Sequence, residues 1–96
     1  MHPDPAVVLL CNHLFAALRA AAAACRAASK ALTCDPAAAT ASTASLAEFT
    51  AYAARDAATL TNDPEMREKL NREAQTVQLA AQALRRQADK EWRPAV

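Results

Sequence analysis

The sequence contains no glycine, and this absence is the first constraint on its fold. Tight β-hairpin turns need residues with positive φ, which glycine adopts without steric cost, so a glycine-free chain is poorly suited to an antiparallel sheet. Alanine, the strongest helix former, is instead the dominant residue. The composition therefore predicts an all-α protein.

An excess of charge of one sign is also lacking. The formal net charge is +1 over 96 residues, whereas nucleic-acid-binding domains usually carry a clear basic excess. We therefore expect no nucleic-acid partner.

Residue patterns that carry catalysis are missing as well. Phosphate-binding glycine loops are excluded by composition, and no pair of carboxylates lies on an apolar helix face for acid–base work. Cys11 and His13 are two positions apart, so a helix would point them to different sides. We expect no enzyme activity, no metal, no cofactor and no small-molecule substrate.

Three cysteines leave one unpaired in any intrachain scheme. Cys11 and Cys25 would lie roughly 21 Å apart on one helix, too far for a disulfide. We predict that they are reduced, buried thiols of a cytoplasmic protein, while Cys34 falls at a turn.

The N-terminal segment is apolar from 6 to 18 and needs to be compared with a signal sequence. Residues 1–4 contain no lysine or arginine, unlike the start of a signal peptide. Asn12, His13 and Arg19 interrupt the apolar run, which we judge too short to span a bilayer. The sequence thus predicts a cytoplasmic protein with no membrane partner.

The dipeptide Asp-Pro occurs three times and predicts three helix starts. Aspartate caps the free N–H groups of a first turn, and proline fits the first helical position. The copies are Asp4-Pro5, Asp35-Pro36 and Asp63-Pro64. They divide a single domain, 1–96, into helices at about 5–33, 37–61 and 64–92. Because the connections are short, we predict an antiparallel, up-down-up three-helix bundle that self-association could complete.

Apolar residues at three- and four-residue spacing predict the core face of each helix. The first helix has Val7, Cys11, Leu14, Leu18, Ala21, Cys25, Ala28 and Leu32. The second has a weaker stripe of Leu46, Phe49, Ala53, Ala57 and Leu60. The third has Met66, Leu70, Ala74, Val77, Ala81, Leu84, Ala88 and Trp92.

Charged residues are unevenly distributed, and most of them lie in the third helix. The first helix has only Arg19, Arg26 and Lys30, and the second only Glu48, Arg55 and Asp56. Opposite the core stripe of the first helix, the outer face consists of Leu9, Ala16, Ala20, Ala23 and Ala27. Either exposed alanine is simply tolerated, or this face is an interface. We favour a non-catalytic protein–protein interaction module (a scaffold, adaptor or inhibitor) that contacts a protein partner or a second copy as a homodimer.

The third helix also has an amide stripe, Asn71, Gln75, Gln78 and Gln82. It is either a solvated face or a polar contact surface. Nearby charges at four-residue spacing, Glu65–Lys69 and Glu68–Arg72, predict local ion pairs.

The alternative function is signalling by phosphotransfer. A helical bundle of this size with an exposed histidine resembles the histidine phosphotransfer domains, which would give His13 the role of phosphate acceptor. Their pattern has lysine three residues after the histidine and then a small residue. Here those positions are Ala16 and Ala17, so the small residue is present and the lysine is not.

Overall fold

The computed structural model describes residues 4–30 and 37–91, with side chains described over 4–30 and 40–89. Three helices form this part of the chain: α1 (Pro5–Lys30), α2 (Ala37–Ala58) and α3 (Pro64–Glu91). Each helix contacts both others, and the described residues include no strand. The predicted all-α three-helix bundle is confirmed.

Two of the three Asp-Pro helix starts lie in the described residues, and both are capped as predicted. The Asp4 Oδ1 accepts a hydrogen bond from the Ala6 N–H at 2.9 Å, and the Asp63 Oδ1 accepts one from the Glu65 N–H at 3.0 Å. Each cap satisfies a first-turn donor that has no partner within the helix. The third start, Asp35-Pro36, and the end of the first helix predicted at residue 33 lie outside the described residues.

Capping at Asp63 leads to a stability prediction. Asp63→Ala should lower the free energy of unfolding by about 1 kcal/mol, because the Glu65 N–H loses its acceptor. Asp63→Asn, which keeps a side-chain oxygen, is the matched control and should lose much less. Urea denaturation of the three proteins measures both differences. Equal stability of Asp63→Ala and wild type would contradict the assigned role of the cap.

The second helix ends earlier than predicted, at Ala58 instead of residue 61. The Thr59 and Leu60 N–H groups bond to carbonyls three residues back, at 3.1 and 3.0 Å, so the last turn tightens. The Thr59 hydroxyl also donates to the Asp56 carbonyl at 2.6 Å. Thr61 is buried and accepts the Asp63 N–H at 3.2 Å. The connection to α3 is therefore a hydrogen-bonded turn and not a further helical turn.

Large side chains of α1 and α3 fill the core. Phe15 and Leu18 pack from α1, and Leu70, Val77 and Leu84 from α3. The predicted core faces of these two helices are confirmed over the described residues, since every predicted position there is buried or half-buried. Leu32 and Trp92 lie outside the described residues.

The predicted core face of α2 is wrong. Leu46, Phe49 and Leu60 are exposed, by 68%, 74% and 60%, and Ala53 is exposed as well. Only Ala57 of the predicted stripe is buried. The buried face of α2 is instead made of small residues: Thr40, Ala44, Ala47, Ala51, Ala54 and Ala58. The large core side chains come from α1 and α3. Because the buried side chains of α2 are small, α2 can approach both helices closely and leave no cavity between them.

Side-chain bridges show how α2 lies along α3. Arg85 forms an ion pair with Glu48, with 2.8 Å between Nε and Oε1, and Arg55 Nη2 donates to Gln78 Oε1 at 2.9 Å. A later residue of α2 thus pairs with an earlier residue of α3, as antiparallel neighbours do. The up-down-up path through all three helices stays a prediction.

Candidate interaction surface

The outer face of α1 is exposed at every position predicted for the interface. Leu9 is 58% exposed, and Ala16, Ala20, Ala23 and Ala27 are all classed as exposed. Leu10, beside Leu9, is a further large apolar side chain with 41% exposure. The structure therefore leaves this face exposed to solvent, and whether it is an interface stays a prediction.

A second apolar surface, which the sequence analysis assigned to the core, lies on α2. Leu46, Phe49 and Ala53 follow one another at intervals of three and four residues, so they share one side of the helix, and Leu60 lies in the turn after its end. All four are exposed, and Phe49 is the most exposed large hydrophobic residue described. The outer surfaces of α1 and α2 both point away from the core of the bundle.

The charges of α2 lie mainly on its α3 side. Glu48 bonds to Arg85 and Arg55 bonds to Gln78 across that seam. Asp56 is the exception, because it is exposed four residues before Leu60, on the outer side.

The charges of α1 also lie on its α3 side. Arg19 lines clefts together with Glu73 and Lys69 of α3. Arg26 and Lys30 follow Arg19 by seven and eleven residues, which is the same side of the helix. The surface away from α3 is consequently poor in charge on both α1 and α2.

We define the α1–α2 face by the exposed apolar residues of these two outer surfaces. Its members are Leu9, Ala16, Ala20, Ala23 and Ala27 of α1, Leu46, Phe49 and Ala53 of α2, and Leu60 in the turn after α2. Charged side chains border it: Asp56 on α2, and Arg19, Arg26 and Lys30 on α1. The α1 half consists mostly of small side chains and the α2 half mostly of large ones, so the α2 half protrudes further from the surface. Exposed apolar surfaces are typical of interaction sites.

His13, the residue behind the phosphotransfer alternative, is exposed on α1. Ala16 and Ala17, which follow it at the positions of the family pattern, are exposed too. Within the described residues, no group of three or more His, Cys, Asp or Glu side chains is placed to hold a metal ion.

Cys11 and Cys25 are free and buried, with exposures of 0% and 3%, while Cys34 lies outside the described residues. Desolvation raises the pKa of both thiols, and Arg26 partly opposes the rise at Cys25. Burial holds them as packed, protonated side chains and not as reactive thiolates.

Thiol labelling tests this placement. In a Cys34→Ser variant, native Cys11 and Cys25 should react with a thiol reagent much more slowly than in urea, because few thiolates form and access requires opening. Burial also raises the pKa of both thiols in the folded state. Their contribution to the free energy of unfolding is therefore fully present below the unfolded-state pKa and is lost as pH rises through the folded-state pKa. Rapid labelling of the native variant at neutral pH would contradict the burial of α1's inner face.

One described helix, α1, is long and apolar enough to cross a membrane by length and composition. Its mean hydropathy over the best window is 1.7, and 17% of that window is buried. The stretch 6–18 was expected to be too short and too interrupted to span a bilayer, whereas the helix that contains it, α1, has 26 residues, or about 39 Å, and is long enough. Signal sequences and core helices of soluble proteins pass the same test, so the absence of a membrane partner stays a prediction.

Comparison with protein-family models, with curated proteins and with solved structures finds no match to this chain.

Proposed function

We propose that the protein is a non-catalytic interaction module that acts by packing its α1–α2 face against helices of a protein partner. The supporting observation is that α1 and α2 each expose an apolar outer surface. Large apolar side chains such as Phe49 cost solvation free energy when left in water, and a partner that covered them would recover it. The proposal covers a scaffold, an adaptor or an inhibitor.

A second copy of the chain is the partner that fits this face best. A two-fold interface places the same patch on both copies, so residue i of one meets residue j of the other and the reverse. Rotation of one copy then seats the large residues of α2, such as Leu46 and Phe49, over the alanines of the other copy's α1. Small residues facing large ones allow interdigitated packing.

The size of the face suits a stable dimer. The two adjacent helices, about 39 Å and about 33 Å long and about 20 Å across together, offer a footprint of roughly 700 Å². Stable protein interfaces bury about 800 Å² on each partner. The proposal places this dimer in the cytosol, where free thiols such as Cys11 and Cys25 persist.

Concentration-dependent unfolding tests the proposed function. Association stabilises the folded state by mass action, so the midpoint of thermal unfolding should rise with protein concentration. The control is Phe49→Glu, which should show a midpoint that does not change with concentration. A constant wild-type midpoint would count against self-association.

Two other experimental results would each assign the protein a different function. Binding of wild type to lipid vesicles, abolished in Phe49→Glu, would assign the face to a membrane instead of a protein. The phosphotransfer alternative requires acid-labile phosphate on His13 after incubation with a phosphodonor, and His13→Gln supplies its control. No contact in the described residues favours that alternative over the interaction module.

A further inference from the structure

A polar groove runs between α2 and α3, along a seam separate from the α1–α2 face. Its wider part encloses about 500 Å³. Its polar lining is Arg55 of α2 with Arg67, Glu68, Asn71, Arg72 and Gln75 of α3. It continues at Arg55 into a second depression lined by Tyr52, Gln78, Gln82 and Glu48, the carboxylate that is paired with Arg85. The amide stripe of the sequence is thus one wall of this groove.

Three arginines in the groove have no acidic partner among the described residues. The ion pair found among the described residues joins Arg85 to Glu48, and the predicted pair Glu68–Arg72 does not form within that part of the chain. Arg67 Nη2 donates to the Thr61 carbonyl at 2.7 Å, and Arg55 Nη2 donates to Gln78 Oε1 at 2.9 Å.

These two acceptors are neutral, so they fix the guanidinium groups without cancelling their charge. Positioning of this kind lowers the entropy that a ligand must otherwise remove on binding. The groove therefore presents three positive charges, of which two are held in place. Against them stand the carboxylate of Glu68 and that of Glu48, which Arg85 already neutralises.

We propose that this groove binds an acidic segment of a protein partner. Guanidinium groups match carboxylates through paired hydrogen bonds, and the amides of Asn71 and Gln75 can donate to carboxylates or to backbone carbonyls beside them. The near-neutral net charge of +1 favours such local pairing over a nucleic-acid backbone, which demands an extended basic surface. A homodimer formed through the α1–α2 face would leave one groove open on each copy.

Titration with a labelled hexaglutamate peptide tests this inference on the full chain. Fluorescence anisotropy should show saturable binding that weakens as salt is added, because the contacts are exposed charges. Arg72→Gln should weaken binding about tenfold, the loss expected for a charge-assisted hydrogen bond. Its side chain makes no hydrogen bond or ion pair to any residue described, so the fold should be unaffected, which circular dichroism checks.

The matched control is Arg26→Gln, which removes the same charge from an exposed position on α1 and should leave the affinity unchanged. Phe49→Glu should also bind the peptide normally, which separates this inference from the proposed function. An equal loss in Arg26→Gln, or no saturable binding, would overturn the groove assignment. Tighter binding of a single-stranded oligonucleotide, also lost in Arg72→Gln, would overturn the partner class.

Discussion

Ala54→Glu should unfold most of the protein, whereas Ala53→Glu should leave it folded. Ala54 is 0% exposed on the inner face of α2, and Ala53, one residue earlier, is exposed. A glutamate at 54 must bury a carboxylate without a partner, which is among the most costly substitutions. The expected loss is about 4 kcal/mol or more, a large share of the total stability of a small domain.

The adjacent control isolates the orientation of α2. Glutamate is a good helix former, so Ala53→Glu should change the free energy of unfolding by less than about 0.5 kcal/mol. Urea denaturation at low protein concentration, where association contributes nothing, measures both variants. If Ala53→Glu were the destabilising change, the core face predicted from the sequence would be right and the observed orientation wrong.

Phe49→Glu should abolish self-association without loss of helix. Phe49 is 74% exposed at the centre of the α2 half of the face, and a dimer contact would have to desolvate the new charge. Central interface residues contribute at least about 2 kcal/mol each, and a two-fold dimer contains the substitution twice. The dissociation constant should therefore rise roughly a thousandfold. Ala20→Glu, on the α1 half, should have the same direction of effect.

Leu79→Glu is the matched control for this prediction. Leu79 is a large apolar residue on α3 with 54% exposure, outside the α1–α2 face, so its replacement should not change association. Sedimentation velocity distinguishes the variants at one concentration, and circular dichroism confirms their helix content. Equal loss of association in Leu79→Glu and Phe49→Glu would show that added negative charge, and not the face, is responsible.

The sequence predicted helix starts and buried faces correctly where only one interpretation of the pattern was available. Asp4-Pro5 and Asp63-Pro64 combine a capping side chain with a proline at the first helical position, and both helices begin there. In α1 and α3 the polar residues leave a single apolar stripe, so the buried face follows from periodicity alone. For the same reason the exposed positions of α1, such as Ala20, could be predicted.

In α2 periodicity was ambiguous, because alanine lines one side and larger apolar residues the other. Choosing the larger residues for the core, by hydrophobicity, gave the wrong face. The choice depends on how much volume Phe15, Leu18 and Leu70 already occupy, which is a property of the packed bundle. A usable signal was present in Ser45, Glu48 and Arg55, whose polar side chains border the alanine side and meet α3.

The α2 half of the candidate surface and the arginine groove therefore depend on the structure. From sequence, Phe49 and Leu60 were core residues and could not be assigned to an interface. Likewise, Arg72 was expected to be neutralised by Glu68 four residues away, yet flexible exposed side chains gain little from such pairs. Both features arise from the rotation of α2 about its axis, which sets the residues that face α3 and those that face water.

Sedimentation equilibrium of the wild-type chain, from low micromolar to near-millimolar concentration, tests the central claim most directly. The proposed packing of the α1–α2 face against a second copy predicts a species of twice the chain mass of 10.2 kDa that forms reversibly as concentration rises. Phe49→Glu should sediment as the 10.2 kDa chain throughout. A wild type that remains at the single-chain mass over the whole range would contradict the homodimer.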